Sequence, residues 1–229
     1  MNEQPNKAKE SDILQILITE HNNMQAVRSA TVFEANGRTS LFLGAVSSGI
    51  VAIAFIGQAS EMGSAFFLFA LILLPSLIFL GLVTFIRVNQ TGIEDMVAAR
   101  GVNRIRHYYA EIAPRAARYF ILSTNDDMIG YVQGLGGKAS LFQQFVSTAG
   151  LVSVINSILT AVFVGLLTFT LFQASFLVCL AAGSVVFAAS VALYMRYQYR
   201  HWKGNEQHMK VLFPSPSEQK PLPKLGSGR

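Results

Sequence analysis

The sequence predicts an all-α membrane protein: four transmembrane helices with cytoplasmic helical extensions, an N-terminal amphipathic helix, and both termini cytoplasmic. Three observations carry this. The apolar runs 41–58, 65–86, 148–172 and 176–195 contain no Asp, Glu, Lys or Arg. As helices rising about 1.5 Å per residue, each just spans a hydrocarbon core of roughly 30 Å. Only 14% of the 229 residues are charged and 52% are hydrophobic, against about 25% charged in a soluble domain. Finally, none of the 18 Lys and Arg residues falls in the connections 59–64 and 173–175. Because Lys and Arg accumulate in cytoplasmic loops, this asymmetry places the termini and the central segment inside and the short turns outside.

The chain divides into a cytoplasmic N-terminal amphipathic helix (1–40), a transmembrane hairpin (41–86), a cytoplasmic helical subdomain (87–147), a second hairpin (148–195) and a cytoplasmic, partly disordered tail (196–229). The polar start lacks the apolar core of a cleavable signal peptide, so none is expected. Ser11 or Asp12 suits an N-cap, and Ile13, Leu14, Ile16, Leu17, Met24, Val27 and Thr31 recur at helical spacing up to the first span. In the second span Pro75 predicts a mid-membrane kink, tolerated because neighbours satisfy the freed carbonyl. Its Phe- and Leu-rich surface predicts contact with lipid.

The central segment is too long for a plain loop. Helix is expected over 88–100, with Gly101 interrupting it, then over 103–113 and 115–122 with Pro114 at the boundary. Asp126 and Asp127 fit the first turn of another short helix, and Gly134, Gly136 and Gly137 break the chain again. The fourth span carries Ser184, Ala188 and Ala192 at every fourth position, which permits close helix approach. Tyr194, Tyr197, Tyr199 and Trp202, interleaved with Arg196, Arg200 and Lys203, form an interfacial anchor. The prolines beyond Phe213 exclude regular helix.

Motifs of chemistry are sparse. No nucleophile elbow, HExxH pair or paired-cysteine site occurs, and the single cysteine, Cys179, lies in an apolar run. GLGGK at 134–138 lacks the full spacing of a phosphate-binding loop and reads as a turn. The histidines at 21, 107, 201 and 208 are scattered. Neither enzymatic activity nor a cofactor or metal is expected. The net charge of +5 is explained by topology and by contact with anionic headgroups, so the expected partners are the lipid bilayer, further copies of the chain and inorganic ions, with no nucleic acid.

The polar content of the spans then becomes informative. Without an ionisable group in any span, a passive path is favoured over a coupled transporter. In the first span Ser40, Gly44, Ser47, Ser48, Val51, Phe55 and Gln58 share a face that leads to Glu61, with Arg38 at its inner end. A homo-oligomer placing this face around an axis forms a passive ion channel, cation-permeable if a Glu61 ring concentrates cations, with Val51 or Phe55 as a dewetting gate and a cytoplasmic helical collar for gating. Ser153, Asn156 and Thr160 in the third span are the rival lining. The sequence from Arg38-Thr39-Ser40 to Leu43 and Gly44 resembles the start of the pore-lining span in store-operated calcium channel subunits of the Orai family, which also have four spans and internal termini. The likeness is short, and the position of that family's acidic filter residue is held here by Ile53, so no selectivity is carried over. The alternative function is a membrane-anchored sensor, scaffold or effector whose cytoplasmic helices bind a partner or ligand, followed by a lipid- or small-molecule-handling protein.

Overall fold

The computed structural model describes residues 10–134 and 145–216. It is all-helical in these residues: α1 Glu10–Ala59, α2 Ser64–Ile112, α3 Pro114–Ala117, α4 Met128–Gly134, α5 Thr148–Phe172 and α6 Phe176–His208. Helices α1, α2, α5 and α6 are long and apolar enough to span a membrane, and their length and composition suggest an integral membrane protein. Packing resolves the chain into two compact units. One contains Ala30–Ile93 and Ser140–Asn205, and the other Met1–Ser29, Glu94–Ala139 and Glu206–Arg229.

The unit holding the four apolar stretches has a core of Phe42 and Val46 from α1, Ala70, Leu74, Leu77, Phe85 and Val88 from α2, and Ala149, Val152 and Leu159 from α5. Small residues set the approach of the helices. A Cβ on Gly49 would meet Leu77 at 2.8 Å, and one on Gly81 would strike both Asn156 and Phe42. Helices α2 and α6 meet in register: Phe85 packs edge-on against Tyr194 with ring centroids 4.6 Å apart, and Trp202 lies against Gly92. At the polar end, Glu34 accepts hydrogen bonds from Arg87 Nε (2.7 Å) and Nη2 (2.9 Å), tying α1 to α2, and from Arg38 Nε at 2.8 Å within α1. Bonds from the Arg87 and then the Arg38 guanidinium hold the Glu34 carboxyl at a pKa of about 2. This staple is therefore fully present above the ordinary value of 4.5 and is lost only as pH falls toward 2.

The α1–α2 turn follows a Schellman pattern, with Met62 N–H donating to the Gly57 carbonyl (2.9 Å) and Glu61 N–H to that of Gln58 (3.3 Å). Glu61 sits at φ 52°, where glycine is the usual residue, and Met62 follows at φ 58°. Left-handed backbone costs a non-glycine residue roughly 1–2 kcal/mol.

In the second unit, the N-terminal part of α1 packs through Leu14, Leu17, His21, Met24 and Arg28, while Ile13, Ile16 and Val27 are exposed. The expected apolar stripe is thus only partly used, because the packed face admits His21, against the Tyr109 ring, and Arg28, bonded to Asp95 at 2.9 Å. Burial, reinforced by Arg106, pushes the His21 pKa down. Gly101 does not interrupt α2. The helix continues to Ile112, and the missing side chain makes room for Met24. Pro114 opens α3 as expected, but helix ends at Ala117, and 118–127 is irregular rather than helical to 122.

The irregular stretch docks the chain after α6. Asp126, fully buried, accepts from the backbone N–H of Phe213 (2.8 Å) and Leu212 (3.1 Å) and pairs with Arg104. Its carbonyl accepts from buried Arg100. Asp127 caps α4 by accepting from Gly130 N–H at 2.7 Å, and also accepts from Ser215 N–H (2.6 Å) and Oγ (2.9 Å). Asn125 Nδ2 reaches the carbonyls of Phe213 and Pro214, and the Phe213 ring stacks on His107 at 3.8 Å. Residues 209–215 are therefore a structural strap within this unit. Residues 135–144, including most of GLGGK and the glycines at 136 and 137, lie outside the described residues, as do 1–9 and 217–229.

Burial alone would raise the Asp126 pKa, but the Phe213 N–H, the Arg104 guanidinium and the Leu212 N–H outweigh it and hold it below 3.8. A depressed carboxyl stabilises above its unfolded value and loses that contribution on acidification. Hydrogen exchange at Leu212 and Phe213 is therefore expected to stay protected above pH 4 and to lose protection as pH drops below 3.8. Asp126→Asn should destabilise this unit by about 3 kcal/mol, because it strips a buried pair of one partner. Overpacking at Gly81→Ala should lower stability in detergent by about 1–3 kcal/mol.

Candidate functional site

All eight first-span candidates are exposed. Ser40, Gly44, Ser47, Ser48, Val51, Phe55 and Gln58 are exposed along α1, and Glu61 is exposed in the turn beyond it. Val51 and Phe55 are each 68% exposed, and a Cβ on Gly44 would meet nothing within 4 Å. The opposite face of α1 faces the core through Thr39, Phe42, Val46, Gly49 and Gly57. The candidate stripe is thus continuous and unused by the packing of the chain's described residues.

The rival stripe on α5 has the opposite fate. Ser153 and Asn156 are completely buried and Thr160 is partly so. Asn156 Nδ2 donates to the Tyr194 hydroxyl (2.7 Å) and to the Ile78 carbonyl (3.2 Å), cross-linking α5 to α6 and α2. Ser153 and Thr160 return their hydroxyls to α5 itself, at the carbonyls of Gly150 (2.7 Å) and Asn156 (2.8 Å). Asn156 is thus a polar joint between helices and Ser153 is spent inside α5, while Thr160, its hydroxyl likewise returned to α5, borders only a lateral cleft.

A lateral cleft that sequence reasoning missed lies in the same unit. It has a volume of about 800 Å³ and is walled by α2 (Ile78, Leu82, Phe85, Ile86), by Thr160 of α5, and by α6 from Ser190 to His201. Most of the lining is apolar, with Arg196, Arg200 and His201 at one end. In the sequence these cations read only as an interfacial anchor, since the walls come from three separate stretches. A smaller apolar cavity of about 330 Å³ adjoins Cys179 between α5 and α6.

Among the described residues, no three His, Cys, Asp or Glu side chains gather as a metal site. The adjacent carboxylates of Asp126 and Asp127 are occupied by the strap and by Arg104. Comparison with protein-family models, curated proteins and solved structures finds no match.

The α5 joint predicts a coupled response. Tyr194→Phe should cost about 0.6 kcal/mol of unfolding free energy in detergent, typical of a hydrogen bond between membrane helices. Asn156→Ala should cost more, and in its background Tyr194→Phe should be nearly silent, as a double-mutant cycle by thermal unfolding would show.

Proposed function

We propose that the chain is the subunit of a homo-oligomeric passive ion channel of the plasma (inner) membrane, with the exposed face of α1 from each subunit lining a central axis. Both termini and the segment 87–147 are cytoplasmic, following the distribution of Lys and Arg. The observation that supports this best is that all eight α1-stripe candidates are exposed while the comparable α5 stripe is consumed inside the subunit. An outward polar-and-small face on a membrane helix is costly to leave in lipid and gains from facing water or a like helix. Two further features fit. Ser184, Ala188 and Ala192 of α6 are exposed as well, offering neighbours a close-packing surface away from the axis. Glu61 holds a backbone position that favours glycine, which points to its carboxylate being retained for a purpose other than stability. In the oligomer this carboxylate forms the outer ring that favours cations, Val51 and Phe55 form the apolar constriction, and the helical unit outside the spans is the collar that gates it.

Ion flux into liposomes containing the purified protein is the test. Val51→Asn should increase basal flux by wetting the constriction. Glu61→Gly should raise thermal stability by about 1 kcal/mol, through relief of the left-handed backbone, yet abolish preference for cations over anions. Absence of flux for monovalent and divalent ions at every imposed potential would sink the channel reading.

A membrane-anchored sensor or scaffold is the second reading. It draws on Ile121, 97% exposed, and Tyr119, 85% exposed, which follow Arg115 and Arg118 as an apolar and basic docking surface. Under that reading α1 variants are silent and Tyr119→Ser with Ile121→Ser abolishes activity.

A further inference from the structure

The lateral cleft combines apolar walls with arginines that have no counter-ion among the described residues. The unit that contains it holds only two carboxylates, Glu34 and Glu61. Glu34 is committed to Arg87 and Arg38, and Glu61 lies in the α1–α2 turn, beyond the far end of the second span from Arg87. Arg196 and Arg200 are one helical turn apart and both line the cleft. Neither forms an ion pair with a carboxylate among the described residues. Like charges at this spacing repel along a helix, so the pair favours an anion from outside the unit.

The shape of the cleft narrows the chemistry of that anion. From Ile78 to Ile86 the α2 wall rises about 12 Å inside the second apolar run, and Thr160 stands midway along the third, so the cleft reaches close to the depth of one leaflet, half of a hydrocarbon core of roughly 30 Å. Leu82, Phe85, Ile86 and Leu193 wall this length, and its volume of about 800 Å³ lies within the roughly 300–1,000 Å³ of small-molecule sites. A free phosphate would satisfy the cations and leave the apolar walls bare, while a neutral lipid would cover the walls and leave the cations unpaired.

We propose that the cleft binds one anionic phospholipid, its phosphate between Arg196 and Arg200 beside His201, and an acyl chain running along α2 toward Thr160 and Ser190. Given the cytoplasmic placement of the basic segments, the lipid comes from the inner leaflet, where a basic cluster at helix ends selects acidic headgroups.

Native mass spectrometry of the intact protein in mild detergent tests this, with phosphatidylglycerol, phosphatidylcholine of matched chains, and glycerol 3-phosphate as probes. The expected result is one retained phosphatidylglycerol per subunit, favoured about tenfold or more over phosphatidylcholine, with glycerol 3-phosphate not retained. Arg196→Gln with Arg200→Gln should bring phosphatidylglycerol down to the phosphatidylcholine level. Ser190→Trp, which fills the chain end and leaves the cations in place, should weaken retention of both lipids, and Lys203→Gln should change neither. Equal retention of the two lipids would overturn the proposal, as would retention of glycerol 3-phosphate comparable to the lipid. So would a Ser190→Trp protein whose subunit number changes while lipid retention does not, because the cleft would then be covered by a second copy.

Discussion

The four apolar helices meet at one side chain, the carboxamide of Asn156. From α5 it donates to a carbonyl of α2 and to a hydroxyl of α6, and the absent side chain of Gly81 lets it approach α2 beside Phe42 of α1. In a medium without water the carboxamide N–H groups must find acceptors in protein, and few arrangements supply them from two neighbouring helices at once. The apolar contacts around it, between Phe42, Leu77, Val152 and their neighbours, are less directional. Asn156 therefore fixes which faces of α2, α5 and α6 point inward, and the lipid-facing or partner-facing surfaces follow by exclusion.

That exclusion also separates the two stripes that the sequence could not rank. Both have serines and a carboxamide at helical spacing within an apolar run, and periodicity reports that residues share a face, not which way the face points. The four long helices were legible because bilayer thickness imposes a length and a composition. Pro114 was legible because local backbone chemistry places it at a helix start. The short helix after Asp126 and Asp127 was also legible, but Asp127 caps it and Asp126 lies before it, where both were expected in its first turn. Gly101 was misread for want of knowledge of Met24: a glycine within a helix can serve tertiary approach as readily as it can break the helix. The expected helix at 115–122 failed because the backbone there turns toward Asp126, whose partners lie some ninety residues later. For the same reason the strap at 209–215 looked like disordered tail, since no local pattern announces a segment whose order comes from carboxylates elsewhere.

Three of the acidic groups carry defined structural tasks. Glu34 staples two helices, Asp126 neutralises Arg104 and holds the strap, and Asp127 caps one helix while gripping Ser215. The arginines of α6 at the cleft, Arg196 and Arg200, have no carboxylate partner among the described residues, and it is this that motivates the proposed lipid site. The proposed pore face and the proposed lipid site are compatible, because the α1 stripe and the α2–α5–α6 cleft share no residue.

Trp202 is the only tryptophan in the chain, and it rests against the bare backbone of Gly92 where α6 meets α2. Intrinsic fluorescence therefore carries a single, already assigned signal. Any sliding or separation of these two helices changes the polarity and quenching around one indole, so the protein contains its own optical gauge of the α2–α6 contact and needs no introduced label.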